Sequence, residues 1–287
     1  MSQLDPIRAH LRKYRDRTSA DFSAADEHAL AELERLRVEA VAAGDQAFAK
    51  ATWCLKTAIE IQQNYVSTFG AMRDGRFYDA WCILEKAEIA LLGLEHHNAL
   101  DEEFALQFID RYVEQFQKLY PYGLFLSPAF LEREVRCSIC DAKMSIRSGC
   151  DHVVGEIYDG KKCLRIVTAE PIEMSFVTDP VQKYSVPFMK DQKTGKSFDH
   201  YDYSLIGYVV QGLHSPFDAW SMTRTTSRHP HKRYKHVGHN AKCPCESGKK
   251  YKSCCLREEG VLRPHIDIEF SVPPPKTLPA VTYSRNV

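Results

Sequence analysis

Apolar side chains recur every three to four positions over roughly the first 120 residues, a spacing typical of amphipathic helices. Four helices are predicted, with approximate bounds 23–44, 45–69, 77–94 and 101–119. Ser23, followed by acidic residues, has the side-chain oxygen that favours a helix start. Gly44, Gly70 and Pro121 are predicted to end the first, second and fourth helices.

The pattern changes after Arg133, where β-branched and aromatic residues form short segments. Strands are predicted over 153–158, 163–168 and 172–177. Asp159 and Gly160 tolerate positive φ, so they predict a hairpin turn between the first two strands. The apolar residues of 203–213 recur every four positions, which favours a short helix. Four later prolines indicate an extended tail.

Composition places the chain among ordinary soluble proteins, with 44% hydrophobic and 26% charged residues. No apolar run approaches the ~18 residues of a membrane span. The first residues lack the basic and apolar regions of a secretory signal. We therefore expect a cytoplasmic chain whose ten cysteines are reduced.

Four of these cysteines lie close together near the C-terminus: Cys243, Cys245, Cys254 and Cys255. Two ligand pairs joined by a short turn containing Gly248 suit a tetrahedral metal ion, because each pair supplies two corners. The alternative is a set of disulfides, which a reducing compartment disfavours. A metal site is the prediction.

A second set of candidate ligands lies where the helical and β regions meet: Cys137, Cys140, Cys150 and His152. The C-x-x-C pair closes half of a tetrahedron on a tight turn, and the C-x-H pair can close the other half. Cys163, beyond the predicted hairpin turn, competes with His152 as the fourth ligand. Four protein ligands leave no position for water, so both predicted sites are structural.

Residues 240–255 resemble the SEC-C motif, the small metal-binding module found at the C-terminus of the bacterial preprotein translocase motor subunit and appended to many other bacterial proteins. The positions that match are Cys243, Pro244, Cys245, Ser247, Gly248, Lys249, Lys250, Tyr251, Lys252, Cys254 and Cys255. Departures from the usual pattern are Ala241 for Asp, Lys242 for Pro, Glu246 for Gly and Leu256 for Gly. The resemblance implies zinc or iron at this site, and binding to an acidic chaperone, the ribosome or lipids. Residues 137–186 and 215–220 are similar to a group of bacterial SEC-C-bearing proteins, which implies no particular activity.

The predicted fold class is α+β. The predicted segments are a helical domain (1–130), a small zinc-stabilised β domain (131–221), a basic segment with the SEC-C zinc knuckle (222–260) and an extended tail (261–287). Residues 222–257 carry ten Lys and Arg against one acid, Glu246. This excess predicts an acidic protein surface, a ribosome or a nucleic acid as partner. A solvated basic linker is the alternative.

Three functional hypotheses follow: a zinc-binding adaptor, a metal-dependent hydrolase or nuclease, and a component of a stress or phage-defence system. The adaptor is favoured by the two closed metal sites and the basic segment. The polar residues that the enzyme hypothesis would use are Asp199, His200, Asp202, His214 and Asp218, but they match no mechanistic spacing. The sequence around Gly195 lacks the earlier glycine of a phosphate-binding loop.

Overall fold

A computed structural model describes residues 3–16 and 24–281 of the chain. The described residues fall into two compact units, one within Met1–Phe217 and Pro275–Val287 and the other formed by Asp218–Pro274. Helices and small sheets occur together, which confirms the α+β class. The four segments predicted from the sequence divide the chain more finely than these units and stay a prediction.

Six α-helices lie in the described part of the first unit. Their bounds are α1 Asp5–Arg12, α2 Ala24–Ala42, α3 Gln46–Arg73, α4 Phe77–His96, α5 Leu106–Gln117 and α6 Ser204–Gly212. The apolar stripes predicted for α2 to α4 form the core, as shown by the complete burial of Leu36, Ile59 and Leu84. The predicted start at Ser23 lies outside the described residues. None of the described helices has both the length and the apolar composition that a membrane crossing demands.

Two predicted helix bounds were wrong. The second helix continues past Gly70 to Arg73, because Ala71 and Met72 are still buried beyond the glycine. The fourth helix begins at Leu106, since Ala105 has a φ of 59° and interrupts the helical hydrogen bonds. The predicted start of that helix, at residue 101, leads instead into a short 3₁₀ turn at Glu102–Phe104.

Four strands of the first unit lie near the Cys137 ligand set in the chain: β1 Phe125–Cys137, β2 Ile157–Tyr158, β3 Lys161–Lys162 and β4 Arg165–Val177. β1 and β4 form a two-stranded antiparallel ribbon. β4 joins two predicted segments into one strand, and β1 was not predicted because Pro128 and charged side chains obscure its alternation.

The hairpin predicted at Asp159 and Gly160 is confirmed, and it connects β2 to β3 with φ angles of 51° and 66°. Its first strand is shorter than predicted and begins at Ile157. The turn docks on the helices: Nε2 of Gln46 donates to Oδ1 of Asp159 over 2.6 Å, and the Asp159 N–H donates to Oε1 of Gln46 over 2.9 Å. Arg37 also donates to the Asp159 carbonyl oxygen over 2.9 Å. These contacts hold the hairpin against α2 and α3.

A second short hairpin, β5 Met189–Lys190 with β6 Ser197–Phe198, precedes α6. The helix predicted over 203–213 is confirmed by α6. Leu205, Val209 and Leu213 are all buried, which accounts for the four-residue spacing read from the sequence.

The second unit is built on one long antiparallel pair, β7 Trp220–His229 and β8 Val261–Phe270. His229, the last residue of β7, pairs with Val261, the first residue of β8, so residues 230–260 form the connection between the two strands. The tail predicted from residue 261 was therefore wrong over 261–270. β8 was missed because its partner strand lies 31 residues earlier in the chain, beyond the reach of a local pattern.

We expect Gly260→Ala to destabilise the second unit by about 1–3 kcal/mol. A Cβ at this position would lie 2.6 Å from the carbonyl oxygen of His229, and backbone atoms cannot rotate away as a side chain would. Thermal unfolding of the zinc-loaded protein measures the effect. Gly238→Ala is the matched control, because a Cβ there meets nothing within 4 Å. Equal unfolding midpoints for the two variants would contradict this account.

Candidate metal centres

The C-terminal candidate site is formed by the segment that connects β7 to β8, and it brings together Cys243, Cys245, Cys254 and Cys255. Their four sulfur atoms lie within 4.8 Å of one another. The Sγ–Sγ distance is 3.5 Å between Cys245 and Cys254, and 3.9 Å between Cys254 and Cys255. Sulfurs bound to one tetrahedral zinc ion are about 3.8 Å apart. The site therefore fits a tetrahedral ion without a large rearrangement.

Backbone hydrogen bonds fold the C-x-C pair into a knuckle. The Cys243 N–H donates to the Lys249 carbonyl oxygen over 2.8 Å, and the Glu246 N–H donates to the Cys243 carbonyl oxygen over 3.0 Å. Gly248 has a φ of 77°, which its missing side chain allows. The turn returns the chain across the first cysteine pair, so that the second pair meets it.

Tyr251 anchors this knuckle to a small apolar core. Its ring is buried with Cys243, Cys255 and Val261. Its hydroxyl lies 2.6 Å from Nδ1 of His231, whose Nε2 lies 2.8 Å from the Glu258 carbonyl oxygen. The sequence showed Tyr251 only as a motif position, and the structure gives it a packing role.

The thiols of this site differ in acidity. A hydrogen bond with the Ser247 side chain lowers the pKa of Cys245 to about 6, and the two side chains are 3.1 Å apart. Burial raises the pKa of Cys255 to about 12. Metal ligation requires both as thiolates, so binding of an ion would release protons.

The second candidate site brings together Cys137, Cys140, Cys150 and His152, whose ligand atoms also lie within 4.8 Å of one another. Cys137 ends β1, and its carbonyl oxygen accepts from the Asp141 N–H over 2.9 Å. Backbone N–H groups of Cys140 and Ile139 stabilise the Cys137 thiolate and lower its pKa to about 6. This turn is the knuckle predicted from the C-x-x-C pair.

Both candidates for the fourth ligand lie near this site. Nδ1 of His152 is buried and has no hydrogen-bond partner among the described residues. A buried ring nitrogen without a partner is costly, and ligation would satisfy it. Sγ of Cys163 lies 3.8 Å from Sγ of Cys137, which also suits a shared ion. Burial raises the pKa of Cys163 to about 11. We favour His152, because ligation would satisfy its buried Nδ1 and because the ligand atoms that lie within 4.8 Å of one another include His152 and not Cys163.

Two of the polar residues of the enzyme hypothesis make local hydrogen bonds. Asp199 accepts from the Tyr203 hydroxyl over 2.6 Å, and Asp202 accepts from the Ser204 N–H over 2.9 Å. The three potential metal-ligand groups found among the described residues include neither aspartate. These contacts shape the segment that leads into α6.

Comparison with known proteins bears on the C-terminal site. Residues 240–257 match the family model of the SEC-C motif. The chain contains a SEC-C motif. Over 24 residues it is 71% identical to Protein translocase subunit SecA 1 of Rhodopirellula baltica (strain DSM 10527 / NCIMB 13988 / SH1), a match that covers 8% of this chain and 2% of that protein. No solved structure matches the chain. These likenesses concern the SEC-C knuckle alone.

The backbone geometry bears on one departure of this SEC-C motif from the usual pattern. Glu246 stands where the motif commonly has glycine, and its φ is 64°, in the left-handed region. A non-glycine residue there costs about 1–2 kcal/mol. The Glu246 carboxylate pairs with Arg263 on β8, which offsets part of that cost.

A third ligand group was missed by sequence reasoning. His96, His97 and Glu156 lie together in the first unit. Adjacent histidines at a helix end gave no signal by themselves, and the glutamate lies about sixty positions later. Only the docking of the β2–β3 hairpin on the helices brings them together.

We expect about two zinc ions per chain in the intact protein and about one in each of two double variants. Cys243→Ser/Cys245→Ser should lose the SEC-C ion, and Cys137→Ser/Cys140→Ser should lose the other, because a four-ligand site does not survive loss of two ligands. Zinc and protein are quantified together after dialysis against a weak chelator. About two zinc ions per chain in either variant would show that the mutated cluster is not a zinc site.

The fourth ligand is tested separately with single variants. His152→Ala should weaken zinc binding at the Cys137 site by about 100-fold or more, whereas Cys163→Ser should change it by less than about tenfold. Competition with a chromophoric chelator measures both affinities. The visible absorption of the cobalt-substituted protein reports how many sulfurs remain. The opposite ranking of the two variants would assign Cys163 as the ligand.

Proposed function

We propose that this chain is a zinc-binding adaptor whose basic segment, residues 222–257, binds an anionic macromolecule. The segment holds its lysines on the scaffold of the SEC-C knuckle. The candidate partners are an acidic protein surface, a ribosome and a nucleic acid. The observation that carries the proposal is a set of exposed lysines around the cysteine cluster that make no ion pair with any residue that the structure describes.

The knuckle places its lysines side by side. Lys242 and Lys250 face each other across a β-bridge, and Lys249 accepts the hydrogen bond from Cys243 through its carbonyl oxygen. Three further exposed lysines lie in the same segment: Lys232, Lys235 and Lys252. Among the residues that the structure describes, none of these six ammonium groups lies within 4.0 Å of a carboxylate.

Two of the acidic groups near the knuckle pair with arginines. Glu246 pairs with Arg263, and Glu258 pairs with Arg228. Four thiolates around a divalent ion leave about two negative charges, which the ten Lys and Arg of the segment outweigh. The surface is therefore a concentrated positive charge held on a rigid turn, which suits an anionic partner.

The same surface offers little for reading bases. The two tyrosines of the segment, Tyr234 and Tyr251, are half-buried and buried, so in the described structure neither presents an exposed ring for stacking. Binding to bases depends on such aromatic platforms, whereas binding to phosphates or carboxylates depends on charge. We expect binding that is steeply dependent on salt and nearly independent of base sequence.

The two predicted metal sites support a structural role for the bound ions and not a catalytic one. A zinc ion held by four protein ligands has no position for water or substrate. Each ion would therefore fix the fold of a short segment, and in the SEC-C knuckle that segment has only a small apolar core of its own. This supports an adaptor over a metal-dependent hydrolase or nuclease.

Charge reversal tests the proposal. Lys242→Glu/Lys249→Glu/Lys250→Glu should weaken binding by about tenfold or more. The slope of log K against log salt concentration should become shallower by about 2–3. Binding is measured with a single-stranded RNA, a DNA duplex, intact ribosomes and poly-glutamate, each at several salt concentrations. The arm with the highest affinity identifies the partner class.

The matched control reverses three exposed lysines of the β5–β6 hairpin region. Lys190→Glu/Lys193→Glu/Lys196→Glu changes the net charge by the same amount but lies outside the basic segment. It should bind far more tightly than the knuckle variant. Failure of the wild-type protein to bind any of the four polyanions, or equal losses in both triple variants, would refute the proposed function.

A further inference from the structure

His96, His97 and Glu156 form a ligand group of a different kind from the two cysteine clusters. His96 is the last residue of α4, His97 follows it, and Glu156 immediately precedes β2. One nitrogen of each imidazole and one carboxylate oxygen lie within 4.8 Å of one another. Two imidazoles and a carboxylate are a donor set that suits divalent transition metals.

The orientation of His97 is fixed by its neighbours. Its Nε2 lies 3.1 Å from the Gly155 carbonyl oxygen, so the N–H is on Nε2 and the lone pair is on Nδ1. The ring also packs edge-on against Trp53, with the ring centroids 5.4 Å apart. Metal-binding histidines commonly donate their other nitrogen to a carbonyl in this way, which fixes the tautomer and the ring.

His96 and Glu156 are already spaced as two ligands of one ion. Nε2 of His96 lies 3.3 Å from Oε1 of Glu156. Two light-atom ligands of a tetrahedral zinc ion are about 3.4 Å apart. A simple ion pair would explain this one contact, but it would not explain the second imidazole. The group also lies at the C-terminus of α4, the negative end of the helix dipole, which favours a cation.

The backbone of Glu156 is held in place by Cys163, which lies between β3 and β4. The Cys163 N–H donates to the Glu156 carbonyl oxygen over 2.8 Å, and the Gly155 N–H donates to the Cys163 carbonyl oxygen over 2.9 Å. Gly155 has a φ of 96°, a conformation open to glycine. The carboxylate thus projects from a hydrogen-bonded segment docked on the helices, and not from a free loop.

We propose that His96, His97 and Glu156 bind one divalent transition-metal ion through two imidazole nitrogens and one carboxylate oxygen. Three protein ligands leave at least one coordination position for water. Solvent reaches the group, because the side chains of His96 and Glu156 are 55% and 43% exposed. The site is therefore open and exchangeable, in contrast to the closed cysteine clusters.

The test uses the full chain without a polyhistidine tag, loaded beforehand with two zinc ions. Ni²⁺ is the probe, since nitrogen and oxygen donors bind it well while the thiolate sites retain zinc. Calorimetry and metal analysis after equilibrium dialysis should show one Ni²⁺ per wild-type chain with zinc unchanged. His97→Ala/Glu156→Gln should lower the Ni²⁺ affinity by about 100-fold or more.

Two further variants separate ligation from folding. Glu156→Gln keeps the shape of the side chain, and it should also lose affinity while retaining two zinc ions. His28→Ala/Glu27→Gln removes the same residue types from an exposed face of α2 and should bind Ni²⁺ as the wild type does. The proposal is overturned if the wild type takes up no Ni²⁺, or if His97→Ala/Glu156→Gln binds it with unchanged affinity.

Discussion

The constraint on which the structure depends is the crowding of thiol groups. In the SEC-C knuckle four sulfurs lie within 4.8 Å of one another, and two of the four belong to buried residues, Cys243 and Cys255. Four thiolates at this spacing repel one another, and burial opposes their ionisation. A divalent cation between them removes both problems, and its binding free energy then contributes to the folding of a unit with only a small core.

The features that sequence could predict are those fixed by neighbours along the chain. The spacing of the SEC-C cysteines, the C-x-x-C turn at Cys137, the Asp159–Gly160 hairpin and the apolar stripe of α4 each depend on a few adjacent residues. Such local patterns determine turns and helix faces directly. The basic charge of residues 222–257 is likewise a property of composition, although its unpaired lysines are seen only in the fold.

Long-range pairing could not be predicted. The β1–β4 ribbon and the β7–β8 pair each join segments separated by about thirty residues, and β1 is obscured by proline and charge. The break at Ala105 is stabilised by burial of its neighbours, which overrides the helical pattern. Likewise, the proximity of His97 to Glu156 follows only from the docking of Asp159 on Gln46.

X-ray absorption at the zinc edge decides whether both clusters are closed metal sites, because it counts the ligands of the bound ion. The protein should be loaded with two zinc ions per chain. We expect a first shell dominated by sulfur at about 2.3 Å, equivalent to seven sulfurs and one imidazole nitrogen over the two ions, with no bound water. A shell with substantial oxygen at about 2.0 Å would contradict closed structural sites, as would a protein whose cysteines are paired as disulfides and hold no zinc.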